Sequence, residues 1–243
     1  MARSFAGGAN TDNIAFANFQ SHTQRTIFVK FNAAALDATT RRIFEWNSGT
    51  LIDSIEHPST KLQYNVGWDG TSGQWSISAP STGAWHNLVI TYDGGSTSND
   101  PVIYLDGSSQ TVTEVTAPTG SLHLSTQTIA IGNRTSDNAR CFNGLIAEYA
   151  RWDRILSAGE IDLLAKDYSP RFISRSLIFY SPLIGKASPE PDIKGGLTGT
   201  VTGATAAAHP RIIRSVGPQI IPVTAGSPPP VTTRFNIMGT VGM

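Results

Sequence analysis

The chain has 243 residues, enough to bury a sizeable core in one large or two small domains, and its 23 glycines, 14 prolines and 15% charged residues exclude a helical bundle. Basic and acidic residues balance overall but not locally: residues 1–168 carry 11 Lys+Arg against 16 Asp+Glu, and residues 169–243 carry 7 against 2. There is no compact basic run and no apolar stretch long enough to span a bilayer, so neither nucleic acid nor a membrane is expected as a partner.

Residues 1–156 read as short strands separated by turns. Thr26–Phe31 is apolar and β-branched. Arg42–Trp46 stops at Asn47-Ser48-Gly49, a turn signal. Leu62–Trp68 and Gln74–Ser78 alternate apolar with polar around Asp69-Gly70. Trp85–Tyr92 ends at Asp93-Gly94-Gly95, and Pro101–Leu105 meets Asp106-Gly107 before Ser108–Val115. An Asp-Gly pair between two β-rich runs predicts a hairpin. Ser121–Leu124, Thr128–Gly132 and Phe142–Trp152 complete the series. Strands this short and this evenly spaced predict a sandwich or barrel.

One helix follows. Ser157-Ala158-Gly159-Glu160 fits a capping box, and Ile161, Leu164, Ala165 and Tyr168 repeat at helical spacing until Ser169-Pro170. Beyond it, Ser176–Tyr180 reads as one more strand and Ser188–Asp192 as a rigid turn. Gly217–Met243 holds Arg234 as its one charge. Pro228-Pro229-Pro230 favours an extended conformation, and Ile220, Ile221, Val223, Phe235, Ile237 and Met238 are spaced along it. That pattern predicts an extended arm buried against another subunit. The expected organisation is a β domain over 1–168, an extension packed on it over 169–216, and an arm over 217–243.

The order and spacing of these segments resemble the laminin-G-like, or concanavalin-A-like, jelly-roll domain. Ser4–Gly7 with Asp12-Asn13-Ile14 looks like that family's opening strand. Trp85–Gly94 looks like its central strand, Val102–Gly107 like the following hairpin, and Ile129–Asn133 like the strand after it. Phe142–Glu148 and Trp152–Ile161 resemble its close. The resemblance implies an all-β antiparallel jelly-roll sandwich with one short helix. It covers about two thirds of the chain, and the appended tail is similar in style to ends found in bacteriophage structural proteins. The family's acidic position before Glu148 is Ala147 here. Family members that bind calcium use carboxylates on rim loops. Asp93, Asp100, Asp106 and Asp137 occupy such loops, although Asp-Gly turn chemistry accounts for them without a metal. No cofactor is assigned, with calcium left open.

No catalytic set emerges. Jelly-roll glucanases need two carboxylates on one sheet face, and no Glu-x-Asp-x-Glu alternation occurs; Asp53-Ser54-Ile55-Glu56 has the wrong spacing for one strand face. His22, His57, His86, His123 and His209 are scattered without zinc-site spacing. The single cysteine, Cys141, excludes an intramolecular disulfide and lacks a nucleophile motif, and the N-terminus lacks the apolar region of a signal peptide. These features point to a non-enzymatic virion structural protein, a bacteriophage capsid decoration or cement protein. Its arm would contact other virion proteins and further copies of itself. The alternative is a carbohydrate-binding module or adhesin on a phage fibre or cell surface. Trp68 and Trp75, which flank the Asp69–Gly73 loop, would then stack on a glycan, while Trp46, Trp85 and Trp152 fill the core. An enzyme is kept only for a site assembled from distant loops.

Overall fold

The computed structural model describes residues 1–8, 11–35, 40–47, 49–134, 139–185 and 188–214. Its strands are β1 (Ala2–Ala6), β2 (Asn13–Gln20), β3 (Gln24–Ala33), β4 (Arg41–Asn47), β5 (Leu51–His57), β6 (Lys61–Val66), β7 (Gly73–Ser78), β8 (His86–Asp93) and β9 (Val102–Leu105). They continue as β10 (Ser108–Ser109), β11 (Thr113–Thr116), β12 (Thr126–Ile131), β13 (Asn143–Trp152), β14 (Leu177–Ser181), β15 (Glu190–Pro191), β16 (Thr198–Thr202) and β17 (Thr205–Ala207). Helix α1 spans Ala158–Ala165, and a short 3-10 turn spans Pro170–Phe172.

The described strands form two antiparallel sheets. One runs β10-β9-β8-β3-β13-β1-β17, with β14 also pairing β13; the other runs β11-β7-β6-β5-β4-β12-β2-β16-β15. The expected jelly-roll sandwich is therefore present, and alternation explains why. Ile27, Val29 and Phe31 of β3 and Leu88, Ile90 and Tyr92 of β8 meet Phe44, Trp46, Ile55 and Tyr64 of the facing sheet in one buried core. The intervening Phe28 and Val89 point the other way, into a second cluster with Trp152, Ile161 and Leu164, so α1 covers the outer face of the first sheet.

Several elements differ from expectation. Leu51–His57 is a full strand that alternation does not reveal, because Asp53 takes an inward position among apolar residues. Ser121–Leu124 forms no strand and contributes an isolated bridge, Trp68 to Leu122. Ser108–Val115 is split between two strands in different sheets. Trp85 precedes β8 and is only half-buried, whereas Trp46 and Trp152 do fill the core. The 169–214 segment does more than pack on the body. Its β14 and β17 extend one sheet, and β15 and β16 extend the other. The arm residues Ile220, Ile221, Val223, Phe235, Ile237 and Met238 lie outside the described residues.

Buried charge ties the layers together. Asp53 of β5, fully buried, accepts from Arg151 Nη2 of β13 at 2.5 Å and from Arg25 Nη1 of β3 at 3.0 Å. The Arg151 guanidinium also stacks near Trp46 and Phe44, 4.8 and 4.9 Å from their ring centroids. Burial works to lower the Arg151 pKa, but Asp53 outweighs it, and the net shift is upward. At the junction with the extension, β13 carries a bulge between Ala147 and Ala150. There Glu148 adopts φ of 55° and is fully buried. Its carboxylate accepts from the Tyr180 hydroxyl and from Arg214 Nη2 at 2.8 Å, with His209 Nε2 at 3.1 Å. A non-glycine residue in that backbone region is strained, and these contacts over-determine it.

Replacing Asp53 with Ala leaves two buried guanidinium groups without their carboxylate, and we expect a loss of about 3–5 kcal/mol in urea unfolding. At the start of α1, the Glu160 carboxylate is lowered from 4.5 to about 2, first by its hydrogen bond to Arg154. The folded pKa lies below the unfolded value, so this contribution is complete above pH 4.5 and fades as pH falls towards 2. The melting-temperature gap between the wild type and Glu160→Gln should therefore narrow across that window.

Candidate functional site

The loop after β6 and the segment before β12 run side by side at one end of the sandwich. Asp69 N–H donates to Ser121 O at 2.9 Å, His123 N–H to Gly67 O at 3.0 Å and Thr119 N–H to Thr71 O at 3.0 Å. Close approach requires glycine at position 67, because a Cβ there would lie 1.8 Å from Leu51 O and 2.8 Å from His123 Nδ1. The pairing carries the His123 ring between two acceptors. Its Nδ1 lies 3.2 Å from Leu51 O and its Nε2 lies 2.7 Å from Asp69 Oδ1.

Around this pair opens a cleft of about 340 Å³, lined by Thr50, Ile52, Asp69, Leu122, His123, Leu124, Ser125 and Gln127. That is the lower end of the roughly 300–1,000 Å³ usual for small-molecule sites. The Asp69 side chain is 64% exposed and that of His123 24%, so both reach solvent from a fixed geometry. Leu124 is half-exposed, giving the cleft an apolar wall. The Ser125 hydroxyl is buried and has no hydrogen-bond partner among the described residues. The cleft thus combines acceptor, donor and aliphatic surface, the mixture that orients a small polyhydroxylated ligand.

The tryptophans expected to stack on a glycan do not line this cleft. Trp75 is fully buried, its indole donates to Asp100 Oδ1 at 2.6 Å, and its ring packs 5.3 Å from Tyr92. Trp68 is 5% exposed and belongs to the same core. Neither offers a ring face to solvent, and the platform reading of both is corrected on that ground. The loop between them does reach the cleft, through Asp69.

The rim aspartates are occupied separately. Asp93 accepts from Gly95 N–H and Gln24 Nε2, Asp100 from Trp75, and Asp106 accepts from Asn87 N–H and pairs with His86. Asp137 lies outside the described residues. No group of three or more His, Cys, Asp or Glu side chains suited to a metal occurs among the described residues. The other histidines serve locally: His86 lies 3.0 Å from Ser81 O, and His209 lies 2.8 Å from Pro210 O. Burial lowers the His22 pKa, against the pull of Asp153. Cys141 is buried, and burial pushes its thiol up, away from nucleophilic reactivity.

A pair of carboxylates on adjacent strands escapes any search for spacing along one strand. Cross-strand register places Glu45, Ser54, Asn65 and Gln74 in one row and Arg42, Glu56, Gln63 and Ser76 in the next, on the face opposite the core. Most of these groups bond one another, although Glu45 Oε1 is buried without a hydrogen-bond partner among the described residues. Arg42 bonds Glu45 Oε2 at 2.7 Å and also meets Glu56. Gln63 donates to Glu56 at 2.9 Å and Asn65 to Ser54 at 3.1 Å. Burial lowers the Arg42 pKa, with Glu45 opposing. Both carboxylates are engaged by the same guanidinium, which leaves the rim cleft as the better candidate site.

A laminin-G-type family model, described as the concanavalin A-like lectin/glucanases superfamily, matches residues 7–162, and the chain belongs to that family. Among solved structures, a protein from Bacteroides ovatus ATCC 8483 proposed to bind carbohydrate is similar at 17% identity with a TM-score of 0.58, over 86% of this chain and 61% of its own. This chain therefore spans about three fifths of that protein's length. The HCR/D protein, in mutant form, is similar at 10% identity with a TM-score of 0.51, over 66% of this chain and 41% of its own. A native heptameric SAP-like pentraxin from Limulus polyphemus matches at 17% identity with a TM-score of 0.48, over 68% of this chain and 81% of its own. At these identities the likeness establishes the fold. No curated protein matches.

Because Trp75 is a core residue, Trp75→Ala should cost about 3–5 kcal/mol of stability in chemical denaturation. A variant that kept its melting temperature would contradict that placement.

Proposed function

We propose that this member of the concanavalin A-like lectin/glucanases superfamily is a carbohydrate-binding module whose rim cleft seats one or two neutral sugar rings. The observation that carries the reading is the fixed Asp69–His123 pair beside Leu122 and Leu124. A pyranose presents hydroxyls at its edge and C–H groups on its face. Asp69, with one oxygen engaged by His123, keeps a second acceptor for those hydroxyls, and the leucines cover the C–H face. The family description and the carbohydrate role proposed for the Bacteroides ovatus protein support it.

Binding without turnover is the form this reading takes. The two carboxylates that share a sheet face, Glu45 and Glu56, are both engaged by Arg42. The capsid-decoration reading rests on residues 217–243, which lie outside the described residues, whereas the rim cleft favours a binding module or adhesin.

The test is a glycan array followed by calorimetry on the sugars retained. Asp69→Asn and His123→Ala should each weaken binding about tenfold, the loss of one well-placed polar contact, without lowering the melting temperature. An array with no neutral ligand, or an Asp69→Asn protein that binds like the wild type, would refute the assignment.

A further inference from the structure

The positive charge of the extension has a structural destination. Residues 169–243 contain two acids, Glu190 and Asp192, against seven basic residues. Both acids are buried, 1% and 3% exposed, and both are spent internally. Glu190 takes Arg3 at 2.6 Å and Gly185 N–H at 2.7 Å. Asp192 accepts the backbone N–H groups of Tyr180, Lys194 and Gly195 at 2.9, 3.0 and 3.0 Å. The surface of the described extension therefore carries no carboxylate to offset its cations.

Two of those cations converge. Arg171, on the 3-10 turn, and Lys194, in the turn that Asp192 organises, both line a cleft of about 220 Å³. Most cations of the body are paired: Arg3, Arg25, Lys30, Arg42, Arg151 and Arg154 each bridge a carboxylate. Neither Arg171 nor Lys194 does so among the described residues, and both are exposed. The remaining lining is largely apolar. Leu177 and Tyr180 lie beneath, and Ile193, 47% exposed, stands at the side. The Tyr180 hydroxyl is committed to Glu148, and at 1% and 4% exposed Tyr180 and Leu177 form only the closed floor of the cleft.

We propose that this cleft is a second ligand site, specific for a saccharide that bears a carboxylate or sulfate, with Arg171 and Lys194 taking the anion and Ile193 lying against the ring. Two cations suit one anionic substituent, and the exposed aliphatic surface of Ile193 suits a C–H face of the sugar. At about 220 Å³ the cleft is too small to follow a polyanion backbone. The choice of a saccharide rests on the carbohydrate reading above; the preference for an anion rests on the charge distribution alone.

The experiment titrates the full chain with trigalacturonate, a sulfated disaccharide, neutral galactose oligomers and inorganic sulfate. Trigalacturonate or the sulfated sugar should bind, and added salt should weaken that binding. Arg171→Gln and Lys194→Gln should each weaken it about fivefold, the loss of one partly exposed charge contact. Neutral-sugar binding should be unchanged in both variants, and Asp69→Asn should leave acidic-sugar binding intact. Inorganic sulfate competing as well as the sugars would reduce the site to a simple anion sink and overturn the saccharide specificity. Acidic-sugar binding that is absent, or that is lost in Asp69→Asn and retained in Lys194→Gln, would overturn the second site. In the latter outcome the rim-cleft reading stands; loss of all neutral binding in the wild type would instead remove the rim cleft.

Discussion

The sandwich is organised around one carboxylate in its interior. Asp53 reaches from the nine-stranded sheet to Arg25 and Arg151 of the opposing sheet, where apolar contacts alone would tolerate sliding. Dispersion between two apolar faces is non-directional, whereas a buried ion pair is satisfied at one lateral position. Arg151 adds its stacking on Trp46 and Phe44, and Tyr149 accepts from its Nε at 2.6 Å. Burying one acid beside two bases is costly in itself, and Arg25 keeps Nε and Nη2 without hydrogen-bond partners among the described residues. The arrangement reads as registration of the two layers more than as a source of net stability. The loops that build the rim cleft emerge from strands held in that register.

A second buried carboxylate does the corresponding work for the extension. Glu148 sits in the bulge of β13, the strand that pairs with β1, β3 and β14 alike. Its contacts with Tyr180, His209 and Arg214 fasten the late part of the chain to the middle of the first sheet. The change in composition after Pro170 therefore marks no structural boundary. What changes there is the chemistry of the surface, because the acids turn inward and the bases stay outside.

Much of this architecture is legible in the residues. The alternation of Lys61–Val66 and Gly73–Ser78, the Asp106-Gly107 turn and the Ser157–Glu160 box each encode their element locally. Local pattern fails where tertiary context sets the environment. The strand Leu51–His57 hides behind Asp53, a residue that alternation alone assigns to solvent. Trp68 and Trp75 flank a polar loop and look like a platform, but aromatic composition carries no information about which way a ring faces. The cleft is harder still, since Asp69 and His123 meet only because Gly67–Thr71 pairs with Thr119–His123. The glycine at 67 is the one local hint, and its meaning appears only when the carbonyl of Leu51 is seen against it. Glu45 and Glu56 likewise share a face by register between neighbouring strands, which spacing along either strand cannot disclose.

The place of β1 between β13 and β17 sets a constraint on the order of assembly. The residues of β1, Ala2–Ala6, find their hydrogen-bond partners far along the chain, in Asn143–Ile146 and Thr205–Ala207. β2 waits likewise for β12 and β16. Loop closure over such separations is slow, so these pairings form after the local hairpins. Both strands lie unpaired until β12 and β13 are in place, and the extension then covers the other edge of each through β16 and β17. Completion of the sandwich is thereby a late event in folding.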